Sequence, residues 1–413
     1  MRLRRVFWSS VDQGISSVSN LLLSILAARV AGPDAFGAFA IAFTIYQFGL
    51  GSSRAFIGEP TLIRASAENE DATPLRGMLG SSILLGAIGL LVNLVAALFA
   101  GPYWQIFVVM GAAFPILMVA DGARYWEFAR GRANVAVILD STWLAGQLAL
   151  YGLVVLAGGS SVIAVVVTWA LGALAAAIVF FVLRRTYPSV LQAQSWVRAH
   201  QGLSFRFFGE YLAVSGVQQS VVYVSVIFAG LAAAGAIRGG QVILGPLSML
   251  TMGVAVVALP ALSRRAKKSH RGPLLKTSVL ISLMLLLSTL LYGAILTVLP
   301  PSWGEFLLGD TWSAGIALVP LLLLQLAVSN ISYGATAGLR AMEAAKLSLR
   351  LRIGTVPFVL GLVILGAYLQ GASGAILGAA VGGAIQAVFW WVAVVVTSRN
   401  IGKTDDNRED RRE

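Results

Sequence analysis

The chain has 413 residues, of which 58% are apolar and only 12% are charged, and its formal net charge is +12. This composition excludes an ordinary water-soluble domain and indicates an integral membrane protein. The absence of cysteine excludes disulfides and thiolate metal sites, and no ligand spacing links the two histidines, His200 and His270. The sequence also lacks a Walker-type glycine loop, so we expect no metal, no cofactor and no enzymatic activity.

Apolar windows of the length that spans a bilayer, about 20 residues, recur along almost the whole chain. The sequence therefore predicts an all-α integral membrane protein with about twelve transmembrane helices. The predicted spans are 9–31, 35–54, 77–100, 103–121, 134–157, 161–184, 207–231, 239–262, 277–299, 314–336, 352–370 and 373–397.

The distribution of positive charge predicts the orientation of these spans, because lysine and arginine accumulate on the cytoplasmic side. Of the 30 basic residues, 28 lie before span 1, at or after the inner ends of the even-numbered spans, or in the tail. Only Arg29 and Arg238 fall on the other side. We therefore expect a multi-pass protein of the inner (plasma) membrane with both termini in the cytoplasm. The basic run at 263–276 fits this orientation and anionic lipid headgroups, so no nucleic acid partner is expected.

A weak internal repeat suggests two equivalent halves, because shifting the chain by 198 residues aligns span 1 with span 7. The aligned pairs are Asp12 with Glu210, Asn20 with Gln218, Gly32 with Gly230 and Gly37 with Gly235. This 6+6 pattern predicts two six-helix lobes at residues 1–186 and 207–398, with the transport pathway between them. We expect residues 187–206 to form an interfacial cytoplasmic connector and residues 399–413 to form a charged, disordered tail.

Polar side chains at membrane depth are costly and tend to face an aqueous cavity. Spans 1 and 7, which the repeat makes equivalent, carry Asn20 and the pair Gln218 and Gln219. These residues are predicted to line a central cavity, together with Gln47 and Gln241. For most other membrane-embedded amides, packing between helices is the expected role.

Three segments resemble the Wzx-like polysaccharide flippases of the multidrug/oligosaccharidyl-lipid/polysaccharide (MOP) exporter superfamily. They are DQGISSVSNLLLSILAARVAGPDAFGAFAIAF at 12–43, GAIRGGQVILGPLSML at 235–250 and LLGDTWSAGIALVP at 307–320. This resemblance implies a transporter that flips an undecaprenyl-pyrophosphate-linked oligosaccharide, or a similar lipid-linked glycan, from the inner to the outer leaflet. It implies glycan polymerase or glycosyltransferase machinery as partners, and we expect a monomer.

A pyrophosphate headgroup suits guanidinium groups, which are permanently charged and bind phosphate at two points. Arg54 ends span 2 at the inner face, whereas Arg29 and Arg238 lie at the outer ends of spans 1 and 8. We therefore expect Arg54 to capture the headgroup and Arg238, with Arg29, to receive it on the outer side. The alternative for Arg238 is a structural one, in which its side chain snorkels to the outer headgroups.

Three other functions stay open. A cation-coupled drug antiporter of the same superfamily needs a membrane-embedded acid, and Asp12 and Asp140 are the candidates for binding the coupling ion. A major-facilitator transporter would share the twelve spans, but the loop after span 2 lacks that family's Gly-x-x-x-Asp-Arg-x-Gly-Arg pattern. A membrane-embedded glycan enzyme would need larger extracytoplasmic loops.

The segment DGARYWEFARGR at 121–132 is expected to form salt bridges in an inner surface loop.

Overall fold

The computed structural model of the chain describes residues 2–64, 72–248, 262, 271–342 and 344–409. Within these ranges all regular secondary structure is helical, which confirms the predicted all-α class. Nine helices, or ten if a bent pair within 190–229 counts as one span, are long and apolar enough among the described residues to cross a membrane. Part of the predicted span 239–262 lies outside the described residues.

The chain divides into two compact units, which we describe separately. Unit 1 comprises Met1–Gln219 and Phe306–Thr311, and unit 2 comprises Ser220–Glu305 and Trp312–Glu413. The first helices of unit 1 are α1 (Arg2–Val30), α2 (Pro33–Ser53), α3 (Glu59–Arg64), α4 (Ala72–Phe99), α5 (Trp104–Ala129), α6 (Ala133–Leu156) and α7 (Val162–Arg184).

A π-helical turn, Arg54–Gly58, joins α2 to α3 without a break in the helical backbone. Such turns add one residue to a helical turn and occur frequently at functional sites. The remaining helices are α8 (Val190–Ala229), which crosses the boundary between the units, α9 (Leu231–Ile243), α10 (Arg271–Val298), α11 (Pro301–Leu308), α12 (Thr311–Ala341) and α13 (Ala345–Glu409).

Aromatic side chains of α2 form the densest part of the core of unit 1. Phe36, Phe39, Phe43 and Tyr46 recur every three or four residues and are all buried, so they share one face of the helix. The Tyr46 ring meets Trp169 of α7 edge-on, with 4.9 Å between the ring centroids. This packing fixes α2 against α7 and orients Tyr46 toward the charged side chains described below.

Glycines hold together the two arms of α13 in unit 2. The backbone leaves the helical conformation at Gln370 and Gly371, so one helix assignment covers two predicted spans, 352–370 and 373–397. Any side chain at Gly374 would meet the backbone of Gly366 on the other arm, and Gly378 lies equally close to Leu362. The small-residue face of the last span therefore packs within the chain.

One segment differs from what the sequence suggested. Helix α5 continues to Ala129, so residues 121–129 are helical and several of them are buried, and the prediction of a surface loop at 121–132 was wrong. The salt bridges expected of this segment do form, between Asp121 and Arg124 and between Glu127 and Arg184. Helix α8 begins at Val190, within the predicted connector 187–206, and helix α13 extends to Glu409, within the predicted tail 399–413.

Candidate functional site

Five charged side chains meet inside unit 1, and we call them the ion cluster. They are Asp12 on α1, Arg54 at the start of the π-helical turn, Asp121 and Arg124 on α5, and Asp140 on α6. Four of these side chains are 4% exposed or less, whereas that of Arg54 is 28% exposed. Charged groups at membrane depth are costly and usually functional, which makes this cluster the candidate site.

Arg124 lies at the centre of the ion cluster and contacts all three carboxylates. Its Nη1 donates to Asp121 Oδ1 at 2.9 Å, and its Nη2 donates to Asp12 Oδ2. Its Nε lies 2.8 Å from Asp140 Oδ1. The angles of this contact are not those of a hydrogen bond, so the contact is an ion pair. One guanidinium thus connects α1, α5 and α6.

Arg54 binds Asp121 at two points. Its Nη2 donates to Oδ1 at 2.7 Å and its Nε donates to Oδ2 at 3.0 Å. The guanidinium also lies 5.8 Å from the centre of the Tyr125 ring, and the same ring packs on Gly58 at the end of the π-helical turn. Because Asp121 also binds Arg124, it can lose Arg54 and still keep a cationic partner.

The ion cluster has more negative than positive groups. With three carboxylates and two guanidiniums ionised, its net charge is −1. Both oxygens of Asp140 and Oδ1 of Asp12 are buried without a hydrogen-bond partner among the described residues. Buried polar atoms nearly always have partners, and Asp140 Oδ1 at least keeps its ion pair with Arg124. Asp12 Oδ1 and Asp140 Oδ2 are therefore the positions at which we expect a cation, a proton or water.

A small cavity of about 10 Å³ adjoins the ion cluster, which is enough for roughly one water molecule. It is lined by Ser16, Ser19, Asn20, Tyr46, Arg54, Asp121, Arg124, Asp140 and Trp143. The residues that line it thus carry hydroxyl, amide, carboxylate and guanidinium groups. Ser19 is held in place by donating to Gln147 Oε1 at 3.0 Å.

The structure brings four residues predicted from sequence into this one site. Asn20, Arg54 and Asp140 line the small cavity, and Asp12 joins them through Arg124. Gln47 is half-buried on α2 but does not line the cavity.

The other predicted residues lie elsewhere. Arg29 is exposed, and its guanidinium lies 4.9 Å from the centre of the Phe306 ring within unit 1. Arg238 is half-buried on α9 of unit 2, where its Nη1 lies 3.4 Å from Gln241 Oε1.

On α8, Gln218 is exposed and Gln219 is half-buried. Neither of them lines the small cavity at the ion cluster.

Sequence reasoning missed Asp121 and Arg124, which carry most of the contacts in the ion cluster. The predicted fourth span ended at residue 121, because hydropathy windows stop where charges begin. The usable signal was their spacing of three residues directly after an apolar run, which places both on one helical face.

The sequence matches no protein-family profile and no curated protein. Solved structures do match. An inward-facing multidrug resistance MATE family transporter of the MOP superfamily is 14% identical, with a TM-score of 0.68 over 96% of this chain and 99% of that one. The outward-facing form of such a transporter is also 14% identical, with a TM-score of 0.56 over 97% and 96% of the two chains.

A third match is a MOP superfamily transporter from Pyrococcus furiosus Vc1 (DSM3638), whose binding pocket is described as having reverse polarity that suggests a different function. It is 16% identical, with a TM-score of 0.59 over 97% of this chain and 95% of that one. At these identities the similarity establishes the fold. The chain therefore has the fold of MATE transporters of the MOP superfamily, a fold of twelve transmembrane helices in two lobes.

Proposed function

We propose that the chain is a transporter that works by alternating access and flips a lipid-linked, undecaprenyl-pyrophosphate-type oligosaccharide from the inner to the outer leaflet of the plasma membrane. The fold shared with MOP superfamily transporters supports transport, and the resemblance of three segments to Wzx-like flippases supports the substrate class. We expect the protein to contact membrane lipids. Its proposed partners are the glycan polymerase or the glycosyltransferases that act on the same glycan.

The observation that carries this proposal is the exposure of Arg54. It is the only member of the ion cluster whose side chain is more than 4% exposed, and it holds Asp121 in the two-point geometry that guanidinium also offers to phosphate. A phosphate that approaches from the exposed side can therefore replace the carboxylate of Asp121. The replaced carboxylate keeps its contact with Arg124.

Binding of an anion at Arg54 adds negative charge to a cluster whose net charge is already −1. In a low-dielectric interior, uncompensated charge is strongly unfavourable. A cation or proton at Asp12 or Asp140 would relieve it, so we expect headgroup binding and cation binding to favour each other. Thermodynamic linkage makes this effect reciprocal.

A drug antiporter is the second candidate, and the excess of carboxylates favours it. A cationic drug would itself supply the missing positive charge, so it would compete with the coupling cation for Asp12 and Asp140. The two candidates therefore predict opposite signs of linkage between substrate and cation.

Purified protein tests the sign of this linkage. Binding of a short-chain lipid pyrophosphate and of a cationic dye would be measured over a range of sodium concentrations and pH, at constant ionic strength. The flippase proposal predicts tighter pyrophosphate binding as the cation concentration rises, and transbilayer movement of a lipid-linked oligosaccharide in proteoliposomes. Dye binding that weakens with added cation, without movement of the glycan lipid, would instead establish the antiporter.

A further inference from the structure

The connection between α7 and α8 packs against the first turns of α4, at the end of unit 1 that the charge pattern predicts to be cytoplasmic. The backbone N–H of Ser189 donates to the carbonyl oxygen of Arg76 at 2.9 Å. A side chain at Gly77 or Gly80 would meet the backbone of Gln192 or Ser189, so the two segments are in direct contact. This contact fixes Arg76 beside the connection.

Three buried polar atoms at this contact have no hydrogen-bond partner among the described residues. They are Nε of Arg76, Oγ1 of Thr186 and Oε1 of Gln192. Thr186 is only 6% exposed, and Thr186 and Gln192 lie three residues on either side of Ser189. Buried polar groups nearly always have partners. The guanidinium and the hydroxyl can donate and the amide oxygen can accept, which suits a ligand with both anionic oxygens and hydroxyl groups.

The positive charge at this contact is not balanced by acids. The guanidinium of Arg76 lies over the Tyr187 ring, 4.1 Å from its centre, and no described carboxylate pairs with it. Arg184 is different, because its Nε donates to Glu127 Oε1 at 2.6 Å. Arg185 is exposed and has no ion pair within the described ranges. Arg76 and Arg185 therefore leave two charges available to an anion.

The backbone of Arg185 supports a role for its side chain. Its φ of 47° and ψ of 43° put it in the left-handed region, and it is the only non-glycine residue with positive φ in the described part of the chain. Glycine adopts this conformation at no steric cost and commonly ends a helix in this way. Strained residues of this kind cluster at functional sites. An arginine at the end of α7 thus keeps a guanidinium where the backbone favours glycine.

Apolar side chains beside these arginines indicate what kind of anion binds. Leu191 is 95% exposed, and Leu183, Tyr187 and Val190 are also exposed. Basic groups flanked by exposed apolar and aromatic side chains match the boundary between phospholipid headgroups and acyl chains. A free anion in water would leave this apolar surface uncovered, whereas a phospholipid covers it.

We propose that Arg76, Arg185 and Thr186 bind the phosphate of an anionic phospholipid in the inner leaflet. The two guanidiniums and the threonine hydroxyl donate to the phosphate oxygens, and Gln192 Oε1 accepts from a headgroup hydroxyl such as those of phosphatidylglycerol. None of these residues lines the small cavity at the ion cluster. The site is therefore separate from the one proposed for the transported substrate, and its test does not involve transport.

Binding of the first phospholipid to the full-length, detergent-purified protein would be measured by native mass spectrometry. Phosphatidylglycerol should bind about tenfold more tightly than zwitterionic phosphatidylcholine, and Arg76→Gln and Arg185→Gly should each remove most of this preference. Arg198→Gln is the matched control, because it removes an exposed arginine of α8 and should change the preference less than about twofold.

Two variants separate lipid binding from folding. Arg185→Gly relieves the positive φ, and Thr186→Val replaces a buried hydroxyl that has no partner, so both should keep or raise Tm in detergent without phospholipid. Both should nevertheless weaken phosphatidylglycerol binding.

Equal binding of the two lipids would overturn the proposal. So would a preference for phosphatidylglycerol that survives both arginine substitutions. Displacement of phosphatidylglycerol by millimolar inorganic phosphate would also overturn it, because the site would then take a free anion rather than a lipid.

Discussion

Arg54 and Asp121 lie 67 residues apart in the sequence and bind each other through paired hydrogen bonds of 2.7 and 3.0 Å. The arginine belongs to a π-helical turn, and the aspartate lies on α5, at the last residue of the predicted span 103–121. This pair is the outermost contact of a cluster whose other members are almost fully buried. Most of our predictions concern what happens when one of its charges is changed.

Removing the carboxylate that competes for Arg54 should strengthen anion binding. We expect Asp121→Asn to raise the affinity for a lipid pyrophosphate by about tenfold, because the headgroup no longer displaces a charge-assisted pair. The same change brings the cluster to charge neutrality and should weaken the dependence of binding on cations. Titration of the variant and the natural chain over a range of sodium concentrations measures both effects. Reduced affinity in the variant would mean that Asp121 orients Arg54 rather than competing for it.

Replacing Arg54 with lysine should lower the transport rate. Lysine keeps the charge but loses the two-point geometry, so we expect Arg54→Lys to retain part of the transport rate and Arg54→Gln to retain almost none. Export would be compared at matched abundance in the membrane. Normal export by the glutamine variant would exclude Arg54 as a substrate contact.

Arg124 is predicted to be essential for stability. Arg124→Gln leaves three buried carboxylates with a single guanidinium and should lower the free energy of unfolding by about 3–5 kcal/mol. Thermal unfolding in detergent would reveal this as a large fall in Tm.

Arg206→Gln is the matched control, because Arg206 pairs with Glu210 at 3.3 Å on the surface and should change stability by less than about 1 kcal/mol. Similar losses in the two variants would show that the ion cluster does not hold α1, α5 and α6 together.

The hairpin of α13 offers a test of packing in unit 2. Gly374→Val should force its arms apart at Gly366 and destabilise the protein by about 1–3 kcal/mol. Gly361→Val, on the same helix but with open space around it, should have little effect. Equal tolerance at the two positions would contradict the close approach of the arms.

Arg238 is predicted to contact the headgroup after it crosses the membrane. Arg238→Ala should then reduce export strongly at normal abundance, and Arg238→Lys should restore only part of it. If the Arg238 side chain only snorkels to the outer headgroups, the lysine variant will export as well as the natural chain and the alanine variant will export almost normally. The same series at Arg29 compares the other outer arginine.

The basic residues predict the topology. Reporters fused after residues 160, 235, 305 and 372 should be extracytoplasmic, and those after residues 70, 190, 270 and 345 should be cytoplasmic. The reason is that 28 of 30 basic residues fall on one side of a twelve-span arrangement. A single reproducible inversion would break that arrangement.

The sequence predicted the helical class, the spans and three of the five members of the ion cluster. Asp12 and Asp140 stood out as acids inside predicted spans, and Arg54 stood out as a guanidinium at the inner end of span 2. Asp121 and Arg124 did not, because a hydropathy window ends at charged residues whether they are solvated or paired inside the protein. Their burial depends on partners from α1, α6 and the segment after α2, and such long-range pairing leaves no local pattern.

The π-helical turn at Arg54–Gly58 shifts the phase of the helix that contains it. Each residue of an α-helix advances the side-chain direction by about 100°, so one added residue turns everything after it to a different face. Arg54 lies at the start of this turn, where it faces Asp121, and Gly58 lies at its end, where it faces Tyr125. A related chain with one residue fewer in this segment would keep the direction of its arginine but turn the end of the segment, and the helix after it, to a different face. The length of the segment therefore sets which face of α3 follows the ion pair.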